Sequence, residues 1–352
     1  MKTIIHVIDS LGVGGAETLL VNANIHIPGF KHIVVYLRPP FAYVKQLENI
    51  PTYCLEYQGW YSMPRCAMRL RRLIQLHQAE IVHSHLYYAT IVARLACFGK
   101  IILVSTYHNV LYDPEGSNYS FLYRWIDRLT YRARYRTLSV SSVVKHDLEK
   151  HIGIKHNSAV LYNYVEDVYF NLGKPDLNHD EIRIISVGNY KPQKNYYRAI
   201  QSLIPWFKNQ PQITWDIYGD GPERVALEKL ISENAPTNVR LMGKTNQISE
   251  VMSQYQLFFM PSRWEGFGIA LVEAMAAGLP CLVSDLRVFR EVATSTVLYF
   301  ELNSEDSLSQ QLDWVATHPE ELSKLAEQAA RRAHEFTKKN YCQQLQAIYE
   351  TR

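Results

Sequence analysis

Short runs of aliphatic and β-branched residues alternate along the chain with longer stretches whose apolar positions recur at three- and four-residue spacing. The runs predict strands at 3–9, 31–37, 52–57, 81–85, 101–108, 137–141 and 158–163. They resume at 182–188, 214–219, 239–243, 257–262 and 280–285. Most carry apolar residues at consecutive positions, as strands covered on both faces do. Helical spacing is predicted between them, notably over 17–26, 64–77, 221–235 and 270–278. Strand and helix in alternation predict parallel α/β sheets joined by right-handed crossovers.

The alternation breaks once. Residues 163–181, "NYVEDVYFNLGKPDLNHDE", have no clear period and contain Gly, Pro and Asn, so they read as an interdomain linker. The expected fold is α/β, with two Rossmann-like, doubly wound parallel-sheet domains, 1–165 and 166–335, facing across a cleft. Ligands of such sheets bind beyond the C-terminal strand ends.

Composition narrows the class. With 352 residues, 47% hydrophobic and 20% charged, the chain has a sizeable core and no broad disorder is expected. Its five cysteines are odd in number and form no C-x-x-C pair, which predicts a reducing compartment with neither a disulfide framework nor structural zinc. The apolar run after Lys2 is too short for a signal peptide, and no run approaches the roughly 18 apolar residues of a membrane span, so a cytoplasmic protein is expected. Charge is divided unevenly: 18 Lys and Arg against 10 Asp and Glu over 1–165, and 19 against 24 over 166–352. A basic half joined to an acidic half points to two domains with different partners.

The stretch with the most chemistry is 265–273, "EGFGIALVE". The preceding strand ends near Met260, and a helix is expected from Ile269 to a left-handed cap at Gly278. Glu265 then lies just before the helix and Glu273 about one turn inside it. Glycines let backbone approach a ligand, and free N–H groups at a helix start favour an anion. Anion-binding amides between two hydroxyl-accepting carboxylates match a diphosphate flanked by two polyols, as in a nucleotide-sugar. The competing reading is two acids that complement the helix dipole.

"EGFGIALVE" within "PSRWEGFGIALVEAMAAGLPCLVSD" is accompanied, in order, by "GVGGAE" (12–17), "IVHSH" (81–85), "STYHN" (105–109), "SVGNYKPQKN" (186–195), "YGDGPER" (218–224) and "LMGKT" (241–245). This set resembles the GT-B glycosyltransferases of the large retaining family 4 along nearly the whole chain. The resemblance implies that Glu265 accepts hydrogen bonds from donor-sugar hydroxyls and Glu273 from the ribose. It implies that backbone N–H groups of Gly266, Phe267, Gly268 and Ile269 face the sugar and phosphates. Lys194 would contact the diphosphate and offset charge on the leaving group; alternatively it is an exposed lysine at a helix start. Asn189 stands where the family usually has Arg, which throws more of the phosphate contact on Lys194 or on another residue such as Arg263.

The loop at Gly14 and Gly15 lacks the G-x-G-x-x-G spacing of a dinucleotide site. In the resembled family it closes over donor phosphates and acceptor; the alternative is a simple tight turn. His108, at a strand end, matches a family histidine near donor sugar and acceptor, with His85 a weaker candidate. His83 and His85 share one strand face, but a zinc reading has no obvious third ligand in the sequence. There is no D-x-D pair, so a metal-independent mechanism without cofactor is expected, with a UDP-, GDP- or ADP-sugar as donor.

Two basic stretches remain. Arg65, Arg69 and Arg72 fall on one helical face, and Arg124, Arg128 and Arg132 recur every four residues among aromatics. An anionic membrane surface is preferred to nucleic acid as their partner, because acceptors in the resembled family are often lipid-linked; a solvated helix face is the alternative. Residues 336–352 form a helix with Phe336, Tyr341, Leu345, Ile348 and Tyr349 broadly on one side, which by resemblance crosses back onto the N-terminal, acceptor-side domain. The expected activity is sugar transfer from a nucleotide diphosphate donor to a glycan or lipid-linked acceptor, in bacterial surface polysaccharide or lipopolysaccharide synthesis. The alternatives are a nucleotide-sugar epimerase and a degenerate or NAD-binding Rossmann protein without this catalysis.

Overall fold

The computed structural model describes residues 1–12, 14–113, 121–173, 175–176, 181–234, 238–245 and 247–351. It divides into two compact units, Met1–Asn163 together with Lys338–Arg352, and Tyr164–Thr337.

The first unit is built from β1 (Lys2–Ile8), α1 (Gly15–Asn22), β2 (Phe30–Tyr36), β3 (Thr52–Cys54), α2 (Met63–Leu76), β4 (Ile81–His85), α3 (Tyr87–Ala96), β5 (Ile102–Tyr107), α4 (Phe121–Thr130), β6 (Arg136–Ser139), α5 (Ser142–His151) and β7 (Ser158–Val160). Its seven strands run in the order β3-β2-β1-β4-β5-β6-β7, all parallel. Ile4, Ile5, Val7 and Ile8 are all buried, because helices cover both faces of β1 and every side chain must be apolar or paired. The strand order reverses between β1 and β4, which places a ligand crevice beyond their C-terminal ends.

The second unit contains β8 (Ile182–Val187), α6 (Tyr196–Phe207), β9 (Ile213–Tyr218), α7 (Arg224–Asn234), β10 (Val239–Gly243), α8 (Ile248–Met252), β11 (Leu257–Met260), α9 (Ile269–Ala276), β12 (Cys281–Ser284), α10 (Arg287–Ala293), β13 (Leu298–Phe300), α11 (Glu305–Thr317) and α12 (Pro319–Ala333). Its sheet is β10-β9-β8-β11-β12-β13, again parallel, with the order reversing between β8 and β11. Trp215, Phe259, Ile200 and Leu203 are among its buried core residues.

The last helix, α13 (Lys338–Glu350), belongs to the first unit. Tyr341, Leu345 and Tyr349 are its buried residues, an i, i+4, i+8 stripe. Arg136 Nη1 and Nη2 donate to the carbonyls of Ile348 and Thr351 at 2.6 and 2.9 Å, which ties the end of the helix to β6. Phe336 is not part of the stripe. It precedes the helix, lies in the second unit and packs edge-on against Phe267 at 5.3 Å.

Three further expectations are corrected. β13 was missed, although β3 and β7, equally short, were foreseen. The segment read as a linker is partly structured, with a 3-10 turn at Asp167–Asn171 and Val165 bridged to Thr337, while residues 174 and 177–180 of that segment lie outside the described residues. The arginine stripe is interrupted, because α4 stops at Thr130 and Arg132 falls beyond it.

The orientation of α4 is set by a buried charge. Asp127 is its buried residue, and it meets the buried Arg94 guanidinium from α3. Tyr107 and Tyr112 hydroxyls also donate to its carboxylate, at 2.9 and 2.6 Å. Phe121, Leu122, Trp125 and Leu129 are left exposed, so the helix turns its acid inward and an apolar ridge outward.

Candidate active site

In the second unit, the loop after β8 and the loop after β11 are stitched together. Arg263 N–H donates to the Gln193 carbonyl at 2.8 Å, and Gln193 Nε2 donates to the Trp264 carbonyl at 3.0 Å. Lys194 Nζ donates to Glu265 Oε1 at 2.7 Å, and Ser262 Oγ donates to the same oxygen at 2.9 Å. Both partners are largely enclosed, with side chains 16% and 9% exposed. This ion pair sits at the reversal of strand order, between the ends of β8 and β11.

Glycine is required at position 219, at the base of this site. A Cβ on Gly188 would come within 2.9 Å of Lys194 Cε, and one on Gly219 within 1.9 Å of the Gly188 carbonyl oxygen. The lysine stem lies over bare backbone for that reason.

Gly268 caps α9 in the left-handed region, with φ 88°, and supplies no side-chain acceptor. The N–H groups of Ile269 and Ala270 have no intrachain backbone acceptor among the described residues, as at any helix start. Gly266 and Phe267 are buried. Glu273 lies one turn into α9, where Tyr169 acts electrostatically on its carboxylate. Tyr169 lies in the segment read as a linker, so this interaction was not foreseen. Glu265, Gly266, Phe267, Gly268, Ile269, Glu273 and Lys194 are therefore gathered at one end of the sheet. Asn189 is exposed beside them, and Arg263, also exposed, lies 5.9 Å from the Trp264 ring centroid.

Burial pushes the Glu273 carboxyl up to about 7; Tyr169 and Lys194 oppose the shift and Glu166 adds to it. The group ionises near 4.5 in the unfolded chain, so the cost of its charge is absent below that pH and complete above about 7. Glu273→Gln is therefore expected to melt above wild type at pH 8, with the gain vanishing below about pH 4.5. Thermal unfolding across this range checks it, and a gain independent of pH would count against a buried carboxylate.

Gly14, Gly15 and His108 lie in the first unit. Gly14 is the extended N-cap of α1 and Gly15 its first residue. A Cβ on Gly14 would meet Glu17 Oε2 at 2.5 Å. His108 follows β5 and is half-buried, and burial lowers its pKa to about 4, so the ring is neutral at pH 7. His85 Nδ1 lies 3.3 Å from His108 Nε2.

The third imidazole missing from the sequence reading is His6, aligned with His83 across β1 and β4. The three histidines offer ring nitrogens within 4.8 Å of one another. They read better as a hydrogen-bonded cluster than as a metal centre. Both nitrogens of His83 are already engaged, by the Tyr349 hydroxyl at 2.6 Å and Thr106 Oγ1 at 2.7 Å, and the group contains no carboxylate to balance a cation.

Asp9, just beyond β1, is a further perturbed carboxylate that the sequence did not single out. Its Oδ1 accepts from Ala89 N–H at 2.7 Å, and burial pushes its carboxyl up to about 7. The basic face of α2 is less free than expected, because Arg65 and Arg69 lie 3.7 and 2.7 Å from Glu56.

Among solved structures, Anabaena Alr3699/HepE in complex with UDP and glucose superposes with a TM-score of 0.83 at 18% identity, over 99% of both chains. The GtfA subunit of a Streptococcus agalactiae UDP-N-acetylglucosamine–peptide N-acetylglucosaminyltransferase is 36% identical over 104 residues, 29% of this chain and 20% of that protein. An Escherichia coli UDP-Gal:alpha-D-GlcNAc-diphosphoundecaprenol alpha-1,3-galactosyltransferase is 25% identical over 259 residues, 67% of this chain and 65% of that protein. The matches thus span about a fifth and just under two thirds of these relatives' lengths. The family model for glycosyl transferases group 1 matches residues 170–332 and that for glycosyltransferase family 4 matches residues 13–168. Between them the two models account for both units and nearly all of the chain, which belongs to the group 1 and family 4 glycosyltransferases of GT-B fold.

Proposed function

We propose that this protein transfers a sugar from a nucleotide diphosphate sugar, with retention of anomeric configuration and without a metal, to a hydroxyl of a glycan or lipid-linked acceptor. The observation that carries the reading is the Lys194–Glu265 pair at the β8/β11 reversal, next to the open amides of α9. A diphosphate recruits the lysine and those amides, while sugar hydroxyls donate to Glu265 and ribose hydroxyls to Glu273. As the glycosidic bond to phosphate breaks, Lys194 offsets the charge growing on the leaving group. The acceptor oxygen attacks the anomeric carbon from the same face and passes its proton to the departing phosphate. UDP is the favoured nucleotide, because the names of the two relatives specify UDP-sugars.

The test is thermal stabilisation by UDP-, GDP- and ADP-sugars, since a bound donor raises the melting point by mass action. A shift with one nucleotide class, lost in Glu273→Ala, supports the donor site. No shift with any donor favours a scaffold that has abandoned this chemistry.

A lipid-linked acceptor requires contact with a membrane surface, and no helix among the described residues is long and apolar enough to cross one. The outward ridge of α4, Phe121, Leu122, Trp125 and Leu129, with Arg124 and Arg128 on the same helix, suits the interface of anionic lipid. Leu129 is 74% exposed, so Leu129→Glu leaves the core untouched. That variant is expected to lose co-sedimentation with phosphatidylglycerol vesicles; unchanged sedimentation would remove α4 from the contact.

A further inference from the structure

A line of hydrogen bonds crosses the core of the first unit and ends at His108. The Tyr341 hydroxyl on α13 donates to Asn24 Oδ1 at 2.8 Å. Asn24 Nδ2 lies 3.4 Å from His85 Nε2, and His85 Nδ1 lies 3.3 Å from His108 Nε2. Asn24 and His85 are fully buried and Tyr341 is nearly so.

The direction of each bond follows from the one before. A carbonyl oxygen that accepts the Tyr341 proton turns the amide so that its NH2 faces His85. His85 Nε2 then accepts, so the neutral ring carries its proton on Nδ1. That Nδ1–H donates to His108 Nε2, and the neutral His108 ring carries its own proton on Nδ1. Among the described residues, His108 Nδ1 has no hydrogen-bond partner, and the ring is half-buried.

We propose that Tyr341 and Asn24 are positioning residues that hold His108 as its Nδ1–H tautomer, so that the ring offers this N–H to an oxygen of bound substrate. The second half of the proposal rests on the glycosyltransferase reading above; the first half does not. The opposite amide orientation would place the proton on His85 Nε2 and turn the outward nitrogen of His108 into an acceptor. The last helix of the chain thereby selects between a donor and an acceptor at a candidate site residue whose charge does not change. A wrong tautomer with intact geometry is costly wherever a histidine must donate or accept in a fixed direction.

The test is ring-nitrogen NMR of protein labelled with 15N-histidine, with His108 assigned by the signal lost in His108→Gln. The wild-type protein is expected to show a protonated Nδ1 and a bare Nε2. Tyr341→Phe removes one hydroxyl from a site that keeps its ring packing. It is expected to move the His108 signals towards a mixture of tautomers and to lower kcat for UDP release from UDP-glucose by about tenfold, with KM unchanged. An Nε2–H signal in the wild type, or ring shifts unmoved in Tyr341→Phe, overturns the relay. Shifts that move while kcat stays constant keep the relay and remove His108 from the transfer chemistry. Failure of UDP-glucose to turn over in the wild type leaves the NMR result to decide the relay by itself.

Discussion

Lys194→Ala is expected to lower turnover by about 10²–10³-fold, the range seen when a preorganised electrostatic donor is removed. The ammonium is held 2.7 Å from Glu265 at the end of the β8 loop, over a glycine that leaves room for its stem. A cation fixed in an enclosed site needs no reorganisation when the leaving diphosphate develops charge. The exposed Asn189 alongside is uncharged and does not replace it. Glu265 keeps its bond from Ser262 in the variant, so the loop retains one anchor while losing the ion pair. Lys194→Arg is expected to recover part of the loss, because charge is kept while the planar fork differs from a point charge. Steady-state kinetics on both variants, with circular dichroism as a control for folding, checks this. A kcat/KM within a few-fold of wild type in Lys194→Ala would remove the lysine from the transition state.

The largest stability effect is expected at a residue far in sequence from that site. Asp127→Ala should cost about 3–5 kcal/mol, because it strands the buried Arg94 guanidinium without its carboxylate. Arg94 is 1% exposed at its side chain and Asp127 fully buried. The hydroxyls of Tyr107 and Tyr112 lose an acceptor at the same time. Replacing both charged partners with apolar residues, Arg94→Met with Asp127→Leu, should recover much of the loss, because no ion is then left unpaired. Denaturant unfolding followed by probes in each unit measures it, since two compact units need not unfold as one transition. A cost below about 1 kcal/mol would show that Arg94 finds other partners or water. Asp127 also fixes which face of α4 points outward, so the variant should disturb vesicle binding together with stability.

Much of the architecture was legible because strands buried on both faces must be continuously apolar, and that pattern is local. The positions of fully enclosed strands such as β4, β11 and β12 follow from it, and the glycine loop before α9 follows from a motif nine residues long. Length does not explain the miss of β13, since β3 and β7 are also three residues long. α4 misled in part: its arginine spacing continues past Thr130, but the backbone does not stay helical.

The sequence by itself determined which segments are strands and helices, that the chain is doubly wound, and which short motifs stand at strand ends, since hydrophobic period and turn chemistry act over a few residues. The tertiary structure alone decided the partners. Lys194 meets Glu265 across 71 positions because β8 and β11 are neighbours at the point where strand order reverses. His6 joins His83 and His85 through the register of β1 on β4, and Tyr341 reaches Asn24 across 317 positions because the last helix returns to the first unit. Periodicity reports that a side chain is buried; which group it is buried against depends on sheet order and register, and no local spacing encodes those.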